Sequence, residues 1–211
     1  MRVLFLGNSF TYYHDLPVLA HGLTGWETDS VTRGGAYLRE FLNPEDELCP
    51  RREAAFQNGK WDYVVLQEQS FNAVGDPKDF LNSVKCLCEK IRAIGAKPVL
   101  YCSWAYAEGG PCLESVQCTY QQMLEGLIAG YTQAARENGA LLSPVGQAFA
   151  AMKDQYALYD PDTLHPSLYG SYLAACVICN TIAPDVPFGS FVPEGMEEAA
   201  AMAMQCKAKE R

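Results

Sequence analysis

Three residues in this chain have the types that hydroxyl activation requires: Ser9, Asp162 and His165. A serine hydroxyl is a weak nucleophile until a base takes its proton, and near neutral pH an imidazole suits that task best. The chain offers only three imidazoles, His14, His21 and His165. His21 falls inside a helical stretch and reads as a surface or core residue. His14 follows Ser9 closely enough to line a pocket, but nothing beside it orients its ring. His165 differs, because Asp162 lies one turn earlier and its carboxylate can fix the tautomer and stabilise the imidazolium formed on proton transfer. Pro166 disfavours helical backbone at His165 and so keeps the ring outside the helix that follows. Read alone, D-x-x-H more often marks a loop histidine beside a turn-capping aspartate, so the pair acquires meaning only from where the chain places it.

The placing begins with residues 3–6, an unbroken apolar run that reads as a strand buried on both faces, as in the middle of a parallel sheet. Gly7 ends it, and Asn8, Ser9 and Thr11 follow at once. That puts Ser9 at the carboxyl edge of a central strand, where open α/β sheets bind ligands and where turn N–H groups can hold an oxyanion. An ordinary βα turn reads the same way over this stretch. A helix is expected over 15–23, capped by Asp15 with Pro17 in its first turn. Strands are expected at 26–33, 62–66, 97–103 and 140–145, and helices at 37–42, 53–58 (Gly59 as its C-cap), 77–94, 120–138, 149–156, 168–182 and 194–207. Strands alternating with helices at this spacing mean a parallel sheet with right-handed crossovers. The loop after the last strand then lies on the same edge as the loop after the first, and Ser9 and His165 can meet.

The 211 residues fit one α/β domain, read as 1–183 with a linker and helix, 184–211, packed on it. A net charge of −9 argues against nucleic acid and anionic membrane surfaces, and is compatible with a neutral or cationic small-molecule substrate. The nine cysteines lack paired metal-ligand spacing, and Cys176 and Cys179 read as small core residues; neither a metal nor a cofactor is expected. Abundant thiols and the lack of a leader-like or membrane-length apolar run suggest a cytoplasmic protein. Oligomeric state stays open.

The blocks G-N-S-F-T at Gly7 to Thr11 and D-T-L-H-P at Asp162 to Pro166 resemble the first and last blocks of the SGNH (GDSL-type) hydrolases. Gly34-Gly35 falls where that family keeps its oxyanion-hole glycine, and DYVVLQEQS where it has its third strand and oxyanion-hole Asn. The resemblance implies a flavodoxin-like three-layer αβα sandwich with a five-stranded parallel sheet of order 2-1-3-4-5. It also implies a metal-free Ser9–His165–Asp162 triad, with oxyanion donors from Ser9, Gly35 and a side-chain amide. G-x-N-D is absent from the third block, so the amide falls to Gln69 ahead of Gln67 or Asn72. The LQEQS and HPS-x-x-GSYLAA patterns resemble a largely uncharacterised subgroup more than the lipases.

The expected activity is hydrolysis of a small ester, with an O-acetylated carbohydrate as the leading example. Asn8, His14, Trp104 and Tyr106 are placed at the pocket, the two aromatics as an apolar or sugar-stacking wall; aromatic packing over the sheet edge explains them equally well. Glu68 receives no role. The alternative is a non-catalytic carbohydrate- or ligand-binding module on the same fold. A nucleotide-binding role has neither a P-loop pattern nor an Asp cluster to support it.

Overall fold

Val3, Leu4, Phe5 and Leu6 have no side left for water: none is more than 1% exposed in the computed structural model, which describes residues 1–210. They lie in β1 (Arg2–Gly7), flanked by β2 (Glu27–Thr32) and β3 (Tyr63–Leu66), with β4 (Lys97–Tyr101) and β5 (Leu141–Ser143) beyond. All pairings are parallel and the order is β2-β1-β3-β4-β5. Leu6 is in register with Val31 on one side and Leu66 on the other, so the loops after β1, β2 and β3 leave the sheet side by side.

Among the described residues ten α-helices connect and cover the strands: α1 (Ser9–Tyr12), α2 (Leu16–Thr24), α3 (Leu48–Asn58), α4 (Asn72–Gly75), α5 (Pro77–Ala93), α6 (Pro111–Ser115), α7 (Tyr120–Asn138), α8 (Val145–Met152), α9 (Leu168–Ile182) and α10 (Glu198–Lys209). A 3-10 turn spans Leu38–Leu42. One group, α2, α9 and α10, packs together, while α5 packs on the 3-10 turn and on α7, giving the three layers. Every residue of α9 from Gly170 to Cys179 is buried, which explains why its sequence is apolar all round. Met204 and Ala201 of α10 are buried against it. Arg211, the end of the expected tail segment, lies outside the described residues. All nine cysteines are free, with Cys176 and Cys179 in the core. No helix among the described residues is long and apolar enough to cross a membrane.

Several boundaries differ from the sequence reading for identifiable reasons. The helix expected at 149–156 begins at Val145, because Pro144 starts it directly after β5. The one expected at 53–58 begins at Leu48, whose N–H donates to the Asp46 carboxylate at 2.9 Å. The tail helix starts at Glu198, after a turn containing Gly195 at φ +85°. Asp15 occupies the N-cap of α2 but makes no capping bond, its backbone being left-handed at φ +50°. Gly59 is extended rather than left-handed; the Trp61 indole fills the space a Cβ would need.

Candidate active site

Ser9 is the first residue of a helical turn rather than part of a bare loop. Asn8 makes that turn possible: its side-chain oxygen accepts from the Phe10 N–H at 3.1 Å, and its side-chain amide donates to the Ala36 carbonyl at 3.1 Å. Gln67 fixes the same corner, its carbonyl accepting from the Asn8 N–H at 2.8 Å and the Thr11 hydroxyl at 2.9 Å. Only glycine fits at position 7, where a Cβ would come within 2.4 Å of Thr11 Oγ1 and 2.6 Å of Gln67 Oε1. The hydroxyl of Ser9 is thus presented from a pinned backbone at the carboxyl end of β1.

His165 meets it there. Its Nε2 lies 2.9 Å from Ser9 Oγ, across 156 positions of sequence. On the other side of the ring, Nδ1 lies 2.5 Å from Asp162 Oδ2, while Asp162 Oδ1 accepts from the Leu164 and His165 N–H groups at 3.0 and 2.9 Å. Partial burial pushes the Asp162 carboxyl up, but the His165 ring and these two N–H groups outweigh it and hold the pKa below the ordinary value. The loop closes on itself through Asp160 N–H to the His165 carbonyl at 2.9 Å. Thr163 turns the loop in the left-handed region at φ +64°, an unfavourable backbone for a β-branched residue. An imidazole so placed can take the Ser9 proton while its carboxylate partner stabilises the positive charge that then sits on the ring.

The Tyr13 ring stacks on the His165 imidazole, centroids 4.2 Å apart and planes 7° from parallel. Tyr13 carries no signal in the sequence: it is the C-cap of the short helical turn, at ψ 134°, where no periodicity marks it. Gly34 and Gly35 are exposed beyond β2, Gly35 at φ +67°. Arg33 braces that turn, reaching Asp46 at 2.8 and 3.1 Å and Glu40 at 2.7 Å. Of the three candidate amides, Gln67 donates to the Glu68 carbonyl and Asn72 to Asp79 Oδ2 at 2.9 Å. The Gln69 oxygen accepts from the Phe71 N–H at 2.9 Å, leaving its nitrogen only a long 3.4 Å contact to Ser70 Oγ. Gln69 is therefore the amide with donor capacity to spare. Among the described residues no three His, Cys, Asp or Glu side chains cluster as metal ligands.

Comparison with solved structures finds a protein from Slackia heliotrinireducens described as an SGNH hydrolase, 37% identical, covering 87% of this chain and 99% of that one at a TM-score of 0.81. The chain belongs to the SGNH hydrolase family. A DUF4886 family protein from Bacteroides uniformis aligns over 99% of this chain and 93% of its own (22% identity, TM-score 0.75). Axe2, an acetylxylan esterase from Geobacillus stearothermophilus, shares the fold at 15% identity and a TM-score of 0.62, over 86% of this chain and 94% of that one. No protein-family model and no curated protein matches the sequence.

Two of the aromatics expected to wall the pocket of this SGNH hydrolase do other work. Trp104 is fully buried, so it presents no face to a ligand. Its ring is stacked between Phe10 at 4.4 Å and Phe149 at 4.0 Å, and its indole N–H donates to the Leu164 carbonyl at 3.1 Å. It therefore joins the neighbour of Ser9 to the neighbour of His165. Tyr106 is 5% exposed, and its hydroxyl is within 2.6 Å of Ser70 Oγ. Asn8 is likewise buried and spends its side chain on the turn. His14 is exposed, edge-on to Tyr13, at φ +51°. Trp104→Phe keeps an aromatic in the stack but leaves the part-buried Leu164 carbonyl without its donor. It should destabilise the chain by about 1–3 kcal/mol, measured by denaturant titration, and lower any turnover that depends on the Ser9–His165 alignment.

Proposed function

We propose that the chain is a metal-free serine esterase acting on small esters. Ser9 Oγ attacks the carbonyl carbon, its proton passing to His165 Nε2; Asp162 holds the ring with its Nδ1 proton inward and stabilises the imidazolium. Collapse of the tetrahedral intermediate expels the alcohol, which takes the proton back from His165. Water then repeats the sequence on the acyl-enzyme and releases the acid. The developing oxyanion is received by the Ser9 and Gly35 N–H groups and the Gln69 amide. The observation that carries this reading is the continuous relay Ser9 Oγ to His165 Nε2 at 2.9 Å and His165 Nδ1 to Asp162 Oδ2 at 2.5 Å.

An O-acetylated carbohydrate is the substrate class we favour. Tyr12 is 41% exposed three residues after Ser9 and offers a ring face to a sugar, and a similarly folded protein is an acetylxylan esterase. A net charge of −9 disfavours polyanionic esters. We take 1–183 as the catalytic unit and the tail as its packed extension, in a reducing compartment that suits nine free thiols. The test is covalent: a fluorophosphonate probe should label the intact chain once, at Ser9, as located by peptide mass spectrometry. A chain that resists the probe yet binds acetylated sugars would instead be a binding module.

A further inference from the structure

Glu68 is fully buried two residues beyond β3. Its Oε1 accepts two main-chain hydrogen bonds, from Leu38 at 3.0 Å and from Gln69 at 2.7 Å. Its Oε2 is buried and has no hydrogen-bond partner among the described residues. A carboxylate taken out of water with one oxygen bare is a costly choice for mere space-filling. What it joins is specific. Leu38 opens the 3-10 turn that follows Gly34-Gly35, and Gln69 carries the spare amide. These two segments follow different strands, β2 and β3, and among the described residues no other side chain accepts from both main chains.

We propose that Glu68 is a positioning residue for the reaction, its Oε1 clamping the Leu38 and Gln69 N–H groups so that the Gly34-Gly35 turn and the Gln69 amide are held as one oxyanion-binding unit. This deepens the esterase reading and rests on it. The clamp acts through main-chain N–H groups and does not touch substrate. As an anion, Glu68 is the stronger acceptor, so the clamp is tightest when it is ionised. Burial pushes its carboxyl up to about 7, with the Asp79 charge adding to it, against the pull of the Leu38 and Gln69 N–H groups and the Asn72 side-chain amide. The charged groups near it are Arg39 of the 3-10 turn and Asp79 of α5, paired with each other at 2.8 Å; Asn72 of α4 also donates to Asp79 at 2.9 Å, and Tyr131 of α7 accepts the Glu68 N–H at 3.3 Å. Protonation near neutrality therefore loosens the oxyanion site at the same time as it removes charge from the core.

Two variants test this. Glu68→Leu removes the acceptor: with p-nitrophenyl acetate its kcat should fall by about 100-fold or more with KM changed less than about threefold, the signature of lost transition-state stabilisation. Glu68→Gln keeps an acceptor but cannot ionise. Its kcat profile should lose from the acid limb the proton that belongs to Glu68 in the wild-type chain. A carboxyl whose pKa is raised on folding stabilises the fold most below its unfolded pKa and loses that contribution as pH rises through the folded one. The Tm of Glu68→Gln minus that of wild type should accordingly grow by several degrees from about pH 5 to about pH 8. A flat Tm difference with an unaltered acid limb overturns the proposal, even if Glu68→Leu does not fold. Amide hydrogen exchange separates this from the esterase reading. Should the wild-type chain neither hydrolyse esters nor take the fluorophosphonate, that reading fails, while exchange at Leu38 and Gln69 at least tenfold faster in Glu68→Gln at about pH 8 still supports the clamp and unchanged protection refutes it.

Discussion

Ser9→Ala should lower kcat/KM for p-nitrophenyl acetate by about 10⁴-fold or more while shifting Tm by less than about 3 °C. The asymmetry follows from what the hydroxyl touches. Its one side-chain partner is His165 Nε2 at 2.9 Å, and no part of the turn is built on Ser9 Oγ. Asn8, Gln67 and Gly7 hold the backbone there, so an alanine at position 9 inherits the same conformation. Removing one part-buried hydrogen bond costs about 1 kcal/mol, whereas removing the nucleophile deletes the covalent path altogether. Residual turnover would come from whatever the oxyanion donors and the imidazole can do with water. A variant that keeps even a tenth of wild-type activity would show that the ester is attacked elsewhere.

Strands β1, β3 and β4 are legible because a strand covered on both faces has no polar alternation to confuse it, and α7 and α9 because Thr119 and Ser167 cap them with side-chain oxygens. Element ends shift where a local side-chain bond starts a helix ahead of its apolar periodicity, as Asp46 does for Leu48. Ser9, Asp162 and His165 are identifiable because so few imidazoles compete, and sheet topology alone brings the two ends of the chain to one edge. Trp104 misleads because type and position describe a wall and a core stack equally well; only its neighbours Phe10 and Phe149 distinguish them. Glu68 is invisible for a related reason. A glutamate after a strand is ordinarily solvated, and its burial depends on a Leu38 N–H contributed thirty residues away.

Asp162→Asn is the second substitution expected to act by orders of magnitude, and here the geometry dictates the mechanism. Asp162 Oδ1 already accepts the Leu164 and His165 N–H groups at 3.0 and 2.9 Å. An asparagine must keep its carbonyl oxygen on those two donors, because turning the amide round would set N–H against N–H at both. Its NH₂ group then faces His165 Nδ1, which can accept that bond only by giving up its own proton. The neutral imidazole is driven to the tautomer protonated on Nε2, the nitrogen 2.9 Å from Ser9 Oγ, and can no longer act as base. Turnover should fall by about 10⁴-fold, the scale of the same change in serine proteases, with the fluorophosphonate reaction slowed in parallel. Because both main-chain bonds survive, the loop and its left-handed Thr163 should remain in place, and Tm should move by only a few degrees. Nitrogen-15 chemical shifts of the His165 ring provide the direct check: the proton should move from Nδ1 in the wild-type chain to Nε2 in the variant. Activity within tenfold of wild type, or a ring still protonated on Nδ1, would mean that another group orients the imidazole.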